Sequence, residues 1–131
     1  MDTLTHALLG GLVVRAATAE KGWSGGIDRK TATLTASLVA AFPDIDYLSF
    51  CIDPLVFLAD WHRGPTHSLL MVPLWALLLS FVLARLLHKP AAQRSLFTIA
   101  ALALLSHIAS DTITAYGTQV FWPISDLRLA Y

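Results

Sequence analysis

Ser68–Ala84 reads SLLMVPLWALLLSFVLA, seventeen residues without a charge. Leu86 and Leu87 extend the run past Arg85, which brings it into the ~17–25 residues a helix needs to cross the hydrocarbon core of a bilayer. Pro73, near its start, is expected to kink the helix, a feature membrane helices tolerate. This one segment places the chain in lipid, and three further segments fall around it. Ser95 to about Ala115 is apolar through Ser106 and then meets His107 and Asp111. Leu4–Ala19 carries His6 near its start and Arg15 near its end. Thr31–Phe42 (TATLTASLVAAF) is short and rich in small residues. Twelve helical residues rise only ~18 Å, so this last segment is expected to tilt, stop halfway or pack within the protein, and its Ala, Ser and Thr suit close helix contact.

Composition agrees. The 131 residues are 56% hydrophobic and 14% charged, with mean hydropathy +0.62, against roughly 45–50% and about 25% in soluble domains. The length fits one domain, residues 1–131. The net charge of zero offers no basic field for nucleic acid. Cys51, the single cysteine, cannot form an internal disulfide. The start shows no pattern of a cleavable signal peptide, because Asp2 precedes the apolar stretch where positive charge would be needed. The expected fold class is all-α, an integral membrane bundle of about four helices.

Two loops are basic or mixed. One holds Lys21, Arg29 and Lys30 and contains the turn GWSGG at 22–26. The other holds Arg85, Lys89 and Arg94 and breaks at Lys89-Pro90. By contrast, Pro43–Pro65 carries Asp44, Asp46, Asp53 and Asp60 with one basic residue, Arg63. If all four segments cross, the basic loops share a side, and the positive-inside rule makes it cytoplasmic. Both termini and the acidic stretch then face outwards, to the periplasm in a bacterium.

Ionisable residues in membrane segments are expensive and point to function. Asp2 and His6 are four apart, as are His107 and Asp111, so each pair shares a helix face. Between them come Phe42-Pro43-Asp44-Ile45-Asp46 and His62-Arg63-Gly64-Pro65-Thr66-His67. An up-and-down arrangement of four segments brings all of these to one end of the bundle. Imidazole with carboxylate suits zinc, manganese or iron. Taken singly, each group has a plainer reading. Asp2 caps the first helix; Asp44 and Asp46 are turn residues after Pro43; Thr66 caps the third helix; Asp111 pairs with His107; Arg63 is a solvated loop charge, or it holds an anionic group. Trp61, Tyr116, Trp122 and Tyr131 fit an aromatic belt. There is no glycine-rich phosphate loop, nucleophile elbow or CxxC pair.

Thr5-His6 followed by Gly10, then FPDID at 42–46, HRGPTHS at 62–68, HIASDTITAYG at 107–117 and Phe121-Trp122-Pro123-Ile124-Ser125 occur in order. This set resembles the YdjM-like family of bacterial inner-membrane proteins described as metal-dependent hydrolases, over nearly the whole chain. The resemblance implies an inner-membrane hydrolase whose motif positions are here His6, Asp44, Asp46, His62, His67, His107 and Asp111. The His/Asp pattern is also similar to that of zinc-dependent phospholipases C. Many members of the family continue through further membrane segments, so a chain of this length is expected to lack part of the pocket or to need a partner subunit.

The expected centre is one or two divalent metals, zinc first and manganese or iron as alternatives. Its ligands are His6, His67, His107 and Asp111 with one of Asp44 and Asp46; Asp44 is assigned to the metal and Asp46 to a catalytic role as general base or orienting partner. His62 protonates the leaving group or joins the metal shell. A metal-activated water then attacks a phosphoester or lipid-linked substrate. Transport or sensing of metal or protons, a structural metal staple, and a homo-oligomer are the competing or additional expectations. Transport would need polar residues continuing through Met71–Ala84 and Phe97–Leu105, which offer almost none.

Overall fold

In the computed structural model of the protein, the described residues are 2–18, 23, 26–52, 54–56 and 62–130. Four long helices make the bundle: α1 (Thr3–Ala17), α2 (Arg29–Ala41), α4 (Val72–Leu86) and α5 (Gln93–Thr112). A single turn, α3 (Pro54–Val56), lies between α2 and α4. Among the described residues there is no strand, only the isolated bridges Trp23 to Ile27 and Thr118 to Leu129. The fold is therefore all-helical, as expected. Asp53, Asp60, Trp61, Tyr131, Lys21 and most of the GWSGG turn lie outside the described residues.

The helix ends follow local chemistry. Asp2 caps α1: its carboxylate accepts from the Thr5 backbone N–H at 3.0 Å and from the Thr5 hydroxyl at 2.6 Å. Asp28 does the same for α2, accepting from the Lys30 and Thr31 N–H groups. Pro73 does not kink its helix. It sits in the first turn of α4, where its missing N–H has no partner to lose. Thr66 is not a helix cap either; Ser68 caps the 3-10 turn Leu69–Met71 that leads into α4, accepting from the Leu70 N–H. Asp44 and Asp46 do not sit in an open turn. The chain continues from α2 as a 3-10 helix, Phe42–Cys51, because Pro43 enters at a helix-compatible φ while removing one N–H from the α-helical ladder.

Side chains are distributed as a lipid solvent requires. Leu4, Leu8 and Leu12 on α1, Leu34 and Leu38 on α2, and Leu74, Leu77, Leu78 and Phe81 on α4 point outwards. The interior is built from small residues: Ala32, Ala36, Ala40, Ala76, Ser80, Ala84, Ala100 and Ala103 are all buried. Two segments, Leu69–Leu86 (mean hydropathy 2.2) and Pro90–Thr112 (mean hydropathy 1.3), are long and apolar enough to span a bilayer. At one end of the bundle the two basic loops meet, Lys89 Nζ donating to the Gly26 carbonyl at 2.5 Å.

The α1–α2 contact is the tightest. A Cβ on Gly10 would lie 2.3 Å from Ala40 Cβ and 3.2 Å from the Ala36 carbonyl. Ala40 presents a bare methyl and cannot yield without moving backbone. Gly10→Ala is therefore expected to destabilise the bundle by about 1–3 kcal/mol. Thermal unfolding in detergent reads this directly; an unchanged transition would mean that the helices separate freely here.

Candidate metal centre

The four sequence groups converge. His6 comes from the second turn of α1, Asp44 and Asp46 from the 3-10 helix after α2, His62 and His67 from the segment before α4, and His107 and Asp111 from the last turns of α5. His6, His67 and His107 are fully buried, and Asp111 is 1% exposed. A second layer closes over them. Residues 113–130 fold back, with Gln119 N donating to the Arg63 carbonyl, Leu69 N to the Val120 carbonyl, and Ser68 Oγ to the Trp122 carbonyl at 2.6 Å. Arg128 reaches the His62 carbonyl at 3.1 Å.

The partners of His107 and His6 fix their tautomers. His107 Nδ1 lies 2.6 Å from the Ala40 carbonyl, which can only accept, so Nδ1 carries the proton. Ser110 Oγ donates to the His107 carbonyl at 2.8 Å and so receives from His6 Nδ1, 3.0 Å away. His67 Nδ1 faces Thr66 Oγ1 at 3.0 Å, a hydroxyl that can donate or accept, and Asp46 Oδ2 at 3.7 Å. His6 and His107 thus aim Nε2 lone pairs inwards, and His67 turns its own Nε2 to that of His107. Burial, above all, together with the nearby His107 pushes His67 below the usual histidine range, against the pull of Asp111 and Asp46, which favours the neutral ring.

These inward atoms crowd one another. His67 Nε2 and His107 Nε2 are 2.9 Å apart. Asp111 Oδ2 is 3.3 Å from the first and 3.5 Å from the second. Asp44 Oδ1 stands 3.9 and 3.7 Å from the same two nitrogens. The His107 Nε2 lone pair faces two carboxylates, an arrangement that a cation among them relieves. Ligands ~2.0–2.1 Å from a tetrahedral ion are ~3.3–3.4 Å apart, so the donor set fits a divalent metal in both chemistry and spacing. Two overlapping groups qualify: His67, His107 and Asp111; and His6, Asp44 and His107.

Asp46 and His62 stand beside this cluster. Asp46 Oδ2 is 3.3 Å from His62 Nδ1 and accepts from the Arg63 backbone N–H at 3.0 Å. The His62 ring packs between Tyr47 and Tyr116. Arg63 is not a solvated loop charge. It is buried, its NH2 lies 3.2 Å from Asp111 Oδ1, and its NH1 bonds Thr114 Oγ1 and reaches the Asp111 carbonyl at 3.4 Å. The carboxylate of α5 holds it. Tyr116, read as an aromatic-belt residue, is exposed and also lies against charge, with Arg63 5.4 Å and Arg128 4.9 Å from its ring centroid.

Sequence reasoning missed Ser110 and the Ala40 carbonyl. Ser110 lies three residues after His107, on the same helix face, a spacing that could have flagged it. A backbone carbonyl from another helix leaves no such trace.

Fold and site together define a membrane protein of four long helices with a buried His/Asp centre at one end. The chain belongs to the YdjM inner membrane protein family, whose model matches residues 1–131. It is 31% identical over 126 residues to the uncharacterized protein YfhP of Bacillus subtilis (strain 168), covering 95% of this chain and 38% of that protein. It is 36% identical over 93 residues to the inner membrane protein YbcI of Escherichia coli (strain K12), covering 70% of this chain and 53% of YbcI. The chain thus spans between about two fifths and half of the length of these curated relatives. No solved structure matches. Family and relative alike identify an inner membrane protein.

Proposed function

We propose that this protein is a membrane-bound, metal-dependent hydrolase acting on a phosphoester or lipid-linked substrate. One observation carries the reading: the buried Nε2 atoms of His67 and His107 meet at 2.9 Å, with Asp111 Oδ2 within 3.5 Å of both. His67, His107, Asp111 and Asp44 would hold a divalent metal, zinc first, with manganese and iron as alternatives. When bound, such an ion acts as a Lewis acid and lowers the pKa of water towards neutrality.

The chain's own residues supply the rest. The Ala40 carbonyl and Ser110 hold His107 and His6 in the tautomer that leaves Nε2 free, and Thr66 anchors the His67 ring at Nδ1. Arg63 orients Asp111 through Oδ1, turning Oδ2 to the cluster. Asp46 Oδ2, 3.3 Å from His62 Nδ1, would orient the ring so that a protonated His62 gives its Nε2 proton to a leaving group. The basic loops meet at the opposite end of the bundle, and the positive-inside rule then favours a periplasmic-facing centre, which suits a lipid phosphoester. A homo-oligomer would enlarge the enclosure around the centre.

Among the described residues, the buried ionisable side chains are His6, Asp46, His62, Arg63, His67, His107 and Asp111, and all belong to this one end. That favours a hydrolase over a transporter, whose polar path would continue to the other side.

The test is metal content of protein purified in detergent, followed by a phosphoester screen. Stoichiometric metal in the wild type, lost in both His67→Ala and His107→Ala, is the expected result. A wild type that stays metal-free after reconstitution would end the proposal. His62→Gln is expected to keep its metal while losing about 10²–10⁴-fold in kcat. Loss of metal in that variant would make His62 a ligand instead.

A further inference from the structure

We propose that the centre binds two divalent cations bridged by Asp111, with the second held by His6, Asp44 and Asp111 Oδ1; this rests on the metal reading above. Asp111 divides its carboxylate. Oδ2 faces His67 and His107, whereas Oδ1 lies 3.1 Å from His6 Nε2. Because Ser110 draws the His6 proton to Nδ1, the Nε2 that meets Oδ1 is a lone pair. Lone pair against carboxylate is repulsive, and the same conflict that marks the first position recurs here with different atoms.

Three further features agree. His6 Nε2 and Asp44 Oδ2 are buried without a hydrogen-bond partner among the described residues. Asp44 meanwhile directs Oδ1 towards His107 and His67, so it can contribute to both positions. The His6 and His107 rings stack 3.7 Å apart and 24° from parallel. Arg63 approaches the same Oδ1, and a carboxylate oxygen accommodates both a cation and an N–H donor.

Charge then narrows the substrate. Asp44, Asp46 and Asp111 against Arg63 and Arg128 leave a formal surplus of one negative charge. One divalent ion turns it to one positive charge; a second leaves three, which matches a phosphomonoester dianion better than a neutral carboxylic ester.

The experiment is manganese loading of the full chain in detergent, read by metal-to-protein ratio and by electron paramagnetic resonance. Two ions per chain with a spin-coupled spectrum are expected. His6→Ala and, independently, Asp44→Asn should drop to one ion with the spectrum of isolated manganese. One uncoupled ion in the wild type, retained in His6→Ala, would overturn the proposal while leaving the single-metal hydrolase standing, with His6 a proton donor to Asp111. No bound manganese or zinc at any loading would remove both. The wild-type ratio and coupling decide the matter even if either variant fails to fold.

Discussion

Asp111→Asn is expected to lower metal affinity by more than about 100-fold and to abolish hydrolysis with it. Losing a partner that merely orients a ligand costs about 10–100-fold, and Asp111 would be a ligand itself. Asparagine keeps the shape but presents an N–H₂ group and no negative charge. At Oδ2 it would meet the Nε2 atoms of His67 and His107. At Oδ1 it would face Arg63 and His6. The substitution also leaves the buried Arg63 guanidinium without its carboxylate, for which about 3–5 kcal/mol is a usual loss. Metal analysis and helical circular dichroism must therefore be taken together: retained helicity with absent metal is the expected pair. Full activity in a helical, metal-loaded Asp111→Asn protein would remove Asp111 from the centre and reopen the assignment of every ligand around it.

The site was legible in the sequence to the extent that helices are. Asp and His four residues apart, at segment ends that alternate in direction, must converge at one end, and His6, His67, His107 and Asp111 do. Ser68–Ala84 gave the membrane helix because an uncharged apolar run that long has few other uses. Illegible were the features set by long-range contact. Nothing local says that Ala40 O meets His107, that Ser68 Oγ reaches Trp122, or that Gln119 pairs with Arg63. The 3-10 helix at Phe42–Cys51 was hidden for a different reason. Its Pro and Asp residues have turn propensity, and only packing against the site shows that both carboxylates serve the interior face.

Arg63 offers the last and most discriminating prediction, because its backbone and its side chain make separable demands. Its φ of 58° is in the left-handed region, where a non-glycine residue pays about 1–2 kcal/mol. Contacts on every side hold it there: its N–H on Asp46, its carbonyl on Gln119, and its guanidinium on Asp111 and Thr114. Arg63→Ala keeps the strain and loses the charge; Arg63→Gly relieves the strain and loses the same charge. Both are expected to weaken metal binding by about 10–100-fold, the usual effect of removing the group that orients a ligand. They should differ in stability, glycine exceeding alanine by about 1 kcal/mol. Arg63→Lys tests geometry against charge: one ammonium cannot reproduce a planar fork reaching Asp111 and Thr114 together, so it should rescue metal affinity only in part. Full rescue by lysine would mean that Arg63 acts by charge alone. Unchanged affinity in all three variants would mean that Asp111 is held by its helix, and that the strained residue beside it serves the closing loop rather than the metal.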